Sequence, residues 1–280
     1  MNAAKQTTCA IVGCPSDPSE DIDSVSIAIS AYSDPSAALS SSADMVVLGP
    51  DVNDRTYWLT EATRAGKHAL CTPPFSVSYK RTKQLQREFE GNQLRLACLS
   101  GAGHWELASW FTRAQTKTGS PTFINMSLAI AKADLRNEAE GILLRHAVPF
   151  LTLLGMFGDV DAVYARTRSL SLNRPTEDIA IALIKFAHGL EASVQFNGLG
   201  THRRVNADFY GKRGDAKFEL KAAELTMSFG HQISHFASSI SGNSSRDTRK
   251  GPMFGHFLAC WMIQSSRFDR ELNRKAVHLD

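Results

Sequence analysis

The residues able to do chemistry in this 280-residue chain fall into a few short groups. Gly101-Ala102-Gly103-His104-Trp105 follows an apolar run that reads as a strand, and the carboxyl ends of strands are where open α/β sheets bind ligands. His104 is there a candidate acid–base group and Trp105 a candidate stacking wall. The alternative is a glycine-permitted loop with a helix-capping His and a core Trp. Asp134, Arg136, Glu138 and Glu140 form a charged loop that either reaches a substrate or is simply solvated. His231 and His235 stand four apart, which on a helix gives one face, as zinc ligation requires. No HExxH accompanies them, and His256 and Cys260 lie far along the chain, so no metal is expected. Thr201-His202-Arg203-Arg204 suits an oligomer interface, a substrate carboxylate or a solvated strand edge. Cys71 ends an apolar stretch with no base near it in sequence and reads as a buried structural thiol rather than a nucleophile.

These groups need elements to position them, and the hydrophobic pattern supplies them. Cys9 to Gly13, Val25 to Ala31, Asp44 to Pro50, Lys67 to Cys71 and Leu94 to Leu99 are short β-rich runs closed by glycine, proline or polar residues. Asp54 to Ala65 and Tyr79 to Phe89 carry helical spacing between them. Alternation of this kind predicts a mostly parallel sheet with helices on both faces. From about Pro121 the texture changes. Thr122 to Ala129, Val160 to Ser169, Ile179 to Phe186, Glu191 to Phe196 and Asn206 to Tyr210 follow one another as strands, predicting an open, largely antiparallel sheet. Gly141 to Phe157 is the helix inserted among them, Met253 to Leu272 reads as a terminal helix, and Gly242 to Gly251 as a surface loop.

Length and composition agree with two cores, divided at residues 1–118 and 119–280. The chain is 43% hydrophobic and 21% charged, with a mean hydropathy of -0.20, a balance that folds into globular cores. Lys+Arg 31 against Asp+Glu 28, scattered, argues against nucleic acid or an anionic membrane as partner and for a small molecule. No apolar run approaches the roughly eighteen residues needed to span a bilayer. Five cysteines at irregular spacing, with no leader pattern at the start, fit a reducing cytoplasm.

Several of these stretches, in the same order, resemble the Gfo/Idh/MocA family, the glucose-fructose oxidoreductase and inositol dehydrogenase type. Asp44 to Pro50, followed by Glu61-Ala62-Thr63-Arg64-Ala65-Gly66-Lys67-His68-Ala69-Leu70-Cys71, is similar to that family's fourth strand, the next helix and its "AGKHVLCEKP" strand. Gly158-Asp159-Val160-Asp161-Ala162-Val163, the Glu177-Asp178 pair and Tyr210-Gly211-Lys212-Arg213-Gly214 are similar to its second domain. The resemblance implies a Rossmann-like first domain, here truncated, and an α+β second domain whose sheet supports homo-oligomers. It also implies NAD(P)-linked hydride transfer on a small sugar-like or carbonyl compound. Gly13, Pro50 and Pro74, at the ends of strands, take the cofactor-binding positions.

The sequence departs from that pattern at three places. Gly13 is followed by Cys14-Pro15-Ser16-Asp17-Pro18, without the further glycines that admit a pyrophosphate to backbone N–H groups, and proline has no N–H to donate. The interval from Gly13 to Asp44 is also short for βαβ units of about 30 residues each, so a crossover helix is lost or reduced. Asp34 stands nearest to the ribose-binding acid but resembles the residue that opens the helix before the third strand run. Thr72-Pro73-Pro74 replaces "EKP", which puts proline where the family has its proton-donating lysine. On the pocket helix Arg145 and Pro149 occupy the positions of the family's Asp and His, with His146 about 100° out of phase on an α-helix.

Three functions follow as expectations: an NAD(P)-linked oxidoreductase with a reorganised site; a cofactor-independent lyase, cyclase or isomerase using His104, Arg145 and His146; or a non-catalytic sensor or partner subunit.

Overall fold

The computed structural model describes residues 6–14, 27–76, 78–99, 104–135, 140–170, 176–221, 229–240 and 258–266. The chain divides into two compact units, Met1–Ala102 with Met227–Met253, and Gly103–Thr226 with Phe254–Asp280.

The first unit is built on five parallel strands in the order β2-β1-β3-β4-β5. These are β1 (Thr7–Val12), β2 (Ile27–Tyr32), β3 (Met45–Leu48), β4 (His68–Cys71) and β5 (Leu96–Cys98), joined by α1 (Pro35–Ser40), α2 (Arg55–Arg64) and α3 (Tyr79–Gly91). β3 is apolar at every position and wholly buried, as a central parallel strand covered on both faces must be. β2, at the edge, buries only its first residue. Each helix begins on a polar cap: Asp34 accepts from Ala37 N–H, Asp54 from Tyr57 N–H and Ser78 from Arg81 N–H. Asp34 therefore serves α1. β2 is present where the sequence pattern placed a strand, the first residues of that expected run lying outside the described ones, while α1 is only six residues long.

One face of this sheet is closed by a helix from far along the chain, α7 (Phe229–Ile240). Its Ile233, Phe236, Ala237 and Ile240 recur at helical spacing and pack with Cys9, Ile11, Met45, Val47, Leu70 and Leu99. The amino edge of the sheet is tied by polar contacts. Asp44 accepts from the Thr8 N–H at 2.9 Å and the Thr8 hydroxyl at 2.7 Å. The buried Lys67 ammonium donates to the carbonyls of Ser41 and Ala43 at 2.8 and 2.7 Å. His68 Nδ1 accepts the Arg95 N–H at 2.9 Å, which joins the starts of β4 and β5.

In the second unit six strands form a mixed sheet in the order β11-β10-β6-β9-β8-β7. They are β6 (Pro121–Ala131), β7 (Val160–Arg168), β8 (Ile179–Phe186), β9 (Glu191–Gly200), β10 (Arg204–Gly211) and β11 (Gly214–Lys221). The central β6–β9 pair is parallel and every other pair antiparallel, so the expected largely antiparallel sheet is present. Alternate residues point inward: Ile124, Met126 and Leu128 on β6, Ala182 and Ile184 on β8, Val194 and Phe196 on β9, Ala207 and Phe209 on β10. At the β10–β11 end this face is covered by α4 (His104–Thr118), whose Phe111 meets Phe209 edge-on at 4.9 Å and whose Trp110 leans on Phe218 at 4.3 Å.

The helical segment 258–266 holds the edge strand. Ser265 Oγ accepts from Ala165 N–H and donates to the Val163 carbonyl, and Ser266 Oγ accepts from Thr167 N–H. Edge groups are thus satisfied by side chains instead of a further strand. The rest of the expected terminal helix and the Gly242–Gly251 loop lie outside the described residues.

Burial, reinforced by Arg95 and opposed by Asp44, holds His68 below its ordinary pKa of 6.5. The unfolded chain therefore takes up this proton before the folded one does, and stability falls as pH drops below about 6.5. The His68→Asn variant keeps an acceptor for Arg95 but cannot titrate. Urea unfolding between about pH 7 and pH 5, the imidazole window, is expected to show a shallower loss in the variant; equal slopes would remove His68 from the pH dependence.

Candidate functional site

All five strands of the first unit run the same way, so their carboxyl ends share one edge. The strand order reverses direction between β1 and β3, and that junction is where open α/β sheets bind ligands. At the junction two glycine turns touch. Gly13 takes a left-handed φ of 63°, and its carbonyl accepts the Asp51 N–H at 3.2 Å. Gly49 N–H donates to the Val12 carbonyl at 2.8 Å. A Cβ at Gly49 would run into the backbone of Gly13 and Cys14, and one at Gly13 would come within 2.8 Å of Val52 Cγ2. Only glycine allows this approach.

The ends of β3 and β4 are held together by Arg55, the first residue of α2. Its side chain is buried, the residue being 8% exposed. Nη2 donates to the Pro50 carbonyl at 3.2 Å and Nε to Thr72 Oγ1 at 3.4 Å. Thr72 N–H in turn donates to the Leu48 carbonyl at 2.9 Å. Beyond it the Pro73–Pro74 peptide is cis, and Phe75, fully buried, offers its carbonyl to the Thr56 hydroxyl at 2.6 Å. Gly13, Pro50 and Pro74 are thereby brought to one edge. Arg55 joins them without having been singled out in the sequence. The available signal was a cation in the first turn of a helix, against the macrodipole and with no acidic residue in that turn.

The cysteines of this unit are not poised for nucleophilic chemistry. Burial lifts Cys71 to about 12 despite the opposing charge of Arg55. Cys14, half-buried, is raised to about 11 by burial and then by Asp51. A neutral thiol is the form present at physiological pH, which agrees with the structural role read for Cys71.

The remaining candidates, apart from His231 and His235 on α7, lie in the second unit. His104 and Trp105 open α4, and the described structure carries only their backbone. Asp134 lies in the short helix α5 (Lys132–Leu135), again described by backbone alone, and Arg136 lies outside the described residues. Arg145 and His146 are half-buried in a π-helical turn, Leu143–Ala147, that runs into α6 (Val148–Leu154). The α-helical register expected there is corrected by this turn, which adds a residue to the winding. Pro149, the second residue of α6, supplies the reason: it has no N–H to return to the carbonyl four residues back and its ring crowds that carbonyl. The turn is capped from outside by Glu177. Its carboxylate accepts the Leu143 N–H at 3.1 Å, and its carbonyl accepts the Ile142 N–H at 3.1 Å. Gly141 passes directly beneath that carboxylate.

Of the basic cluster, Thr201 and His202 are exposed and Arg204, at the start of β10, reaches Glu219 on β11 at 4.0 Å; β10 is paired on both sides, so the strand edge expected there is corrected to the solvated end of an interior strand. The side chains of His231 and His235 lie outside the described ones. Among the described residues no group of three or more His, Cys, Asp or Glu could hold a metal, and no helix is long and apolar enough to cross a membrane.

Neither a protein-family model nor a curated protein sequence matches the chain. Solved structures do. The WlbA dehydrogenase from Bordetella pertussis, in complex with NADH and UDP-GlcNAcA, aligns over 94% of this chain and 97% of its own, with a TM-score of 0.76 and 16% identity. Scyllo-inositol dehydrogenase from Lactobacillus casei, with NAD(H) and scyllo-inositol, aligns over 95% and 98% at a TM-score of 0.70 and 13% identity. Myo-inositol 2-dehydrogenase from Lactobacillus plantarum aligns over 95% and 98% at 0.73 and 11%.

The Gly13–Gly49 contact is expected to be sensitive to a single methyl group. Gly49→Ala should cost about 1–3 kcal/mol, the range for overpacking a filled site. Gly91→Ala, where a Cβ meets nothing within 4 Å, should lose none. Chemical denaturation of the two variants beside wild type measures both.

Proposed function

We propose, from the premise that the chain has the fold of the Gfo/Idh/MocA-type dehydrogenases, that it binds a nicotinamide dinucleotide at the carboxyl edge of its parallel sheet. It acts, in this reading, as an oxidoreductase on a small sugar-like or carbonyl compound. The observation that carries the proposal is the β1/β3 junction, where Gly13 and Gly49 clear side chains from the ends of the two central strands. Solved neighbours that hold NAD(H) beside a sugar nucleotide or an inositol support it.

The residues present fit the anionic part of such a ligand. A bare glycine turn, the Pro50 and Pro74 corners and a buried guanidinium at Arg55 stand at one edge. A bound nicotinamide would supply the hydride donor or acceptor. This chain's own part is to bind and orient it; Pro73 brings no titratable group to the end of β4. Where the resemblance implies a pocket, Arg145 and His146 are the polar groups offered.

A second reading is favoured by Pro73 and by the π turn, which stand where the resemblance puts a lysine and an Asp/His pair. In it the chain catalyses a non-redox reaction, such as a lyase, cyclase or isomerase step, with Arg145 and His146 and no dinucleotide. In either reading the chain forms a homo-oligomer through the uncovered face of the second unit's sheet. Tyr164, Ile181, Leu183, Leu199 and Tyr210 are 40–58% exposed there, more apolar surface than a solvated face needs.

A thermal shift with NADH and NADPH separates the two. A ligand held only by the folded state at about one hundred times its Kd adds about 2.7 kcal/mol, and a chain of this size gains about 2–4 °C per kcal/mol. The expected result is a rise of several degrees with one of the two. No rise with either would retire the dinucleotide and leave the non-redox reading.

A further inference from the structure

We propose that Trp58, braced by Tyr57, is a stacking platform beside the carboxyl-edge site, on which the planar base of a nucleotide ligand lies. The inference rests on reading that edge as the ligand site, and it deepens that reading by naming the part of the ligand this flank recognises.

Position carries the first part of the argument. α2 starts at the carboxyl edge, after the turn that leaves β3, and Tyr57 and Trp58 are its third and fourth residues. The buried residues Arg55, Leu59 and Ala62 turn toward the sheet. Thr56 and Thr60 face the β4 side, where their hydroxyls meet the Phe75 carbonyl and the Arg81 guanidinium of α3. Trp58 is two residues from each, about 200° around the helix. In the strand order β1-β3-β4-β5 that opposite flank is the one toward β1 and its Gly13 turn.

Availability carries the second. Tyr57 is 50% exposed and Trp58 half-buried. Their rings meet edge to face, centroids 4.8 Å apart at 75°, so each restrains the other. Trp110 of the second unit shows what a core tryptophan looks like, packed among Phe111, Phe209 and Phe218. Among the described aromatic residues the Tyr57–Trp58 pair has no such company. Farther along the exposed side of α2 stands the Glu61–Arg64 ion pair, so the apolar surface is confined to the end at the ligand edge. Aromatic area gains by leaving water, and a nucleobase covers such a surface whatever its sequence of donors and acceptors, because every base has a π face.

The base has two sources, a dinucleotide's adenine or the base of a nucleotide-linked substrate. Calorimetric titrations of wild type, Trp58→Leu and Trp58→Phe with NADH, AMP, UMP and ribose 5-phosphate tell them apart. The expected result is that Trp58→Leu weakens the base-bearing ligands about fivefold or more, the scale of one base–aromatic stack. Trp58→Phe should recover most of the loss, and ribose 5-phosphate, which has no base, should bind all three proteins alike. Loss confined to NADH and AMP assigns the adenine; loss confined to UMP assigns the substrate.

Wild-type affinity for NADH, AMP and UMP in Trp58→Leu overturns the platform and leaves the dinucleotide reading intact. Trp58-dependent binding of AMP or UMP without NADH binding does the reverse. No binding of any base by wild type overturns both. A weakening that includes ribose 5-phosphate, or one that Trp58→Phe does not relieve, marks Trp58 as a structural residue and also overturns the proposal. If Trp58→Leu does not fold, the more exposed Tyr57→Leu decides: losing the ring that braces Trp58 must weaken AMP or UMP, and unchanged affinity for both overturns the platform.

Discussion

The close approach of β1 and β3 at their carboxyl ends is the constraint on which the rest of the first unit depends. Pairing in parallel register sets Val12 beside Leu48, so the two turns that follow must cross within backbone contact. A side chain at either glycine would force them apart. Once they touch, the Gly13 carbonyl is satisfied by Asp51 N–H and Gly49 N–H by the Val12 carbonyl, and the chain leaves β3 in the direction that starts α2. Arg55 is placed by that exit, and through Arg55 and Thr56 so is the Thr72–Phe75 corner. The candidate site is therefore the consequence of one strand pairing carried through two turns.

The two units solve the problem of a hydrophobic sheet differently. The parallel sheet has no face that tolerates water, and part of its cover, α7, comes from a stretch that lies in sequence between the two segments of the second unit. The mixed sheet buries one face, with α4 over its β10–β11 end, and leaves the other bearing aromatic and aliphatic side chains. A surface of that character is economical only when something covers it, and a second copy of the same chain is the occupant proposed above.

The strands of both units were legible because apolar residues repeat at short range. β3, β4 and β8 can be read from Met45–Leu48, His68–Cys71 and the alternation of Ile179–Phe186 alone. Other features were present in the pattern but overshadowed. The stripe Ile233, Phe236, Ala237 and Ile240 is as regular as any, yet it is interleaved with His231 and His235, whose own four-residue spacing suits a ligand pair. The helix α4 is masked in the pattern by the helix-breaking Gly101 and Gly103 just before it, and β11 by charges that alternate with its apolar residues.

What remained was not written locally. The π turn arises from Pro149 acting on a carbonyl a turn away, together with a cap from Glu177 that lies 34 residues on from Leu143. The partner of α7 is a sheet formed by the start of the chain. Arg55 becomes a buried, oriented cation only when two loops close around it. The three motif departures were visible at once, whereas the burial of Arg55 between two strand ends needed the fold.

The central claim is that the carboxyl edge of the parallel sheet holds the ligand, and amide hydrogen exchange with saturating NADH tests it most directly. The account predicts slowed exchange in residues 48–55 and 71–76, where the glycine turn, Arg55 and the proline corner meet, with the amino-edge amides of Thr8 and Arg95 unchanged. Exchange at the carboxyl edge that NADH leaves untouched, or protection confined to residues 140–154, would contradict it.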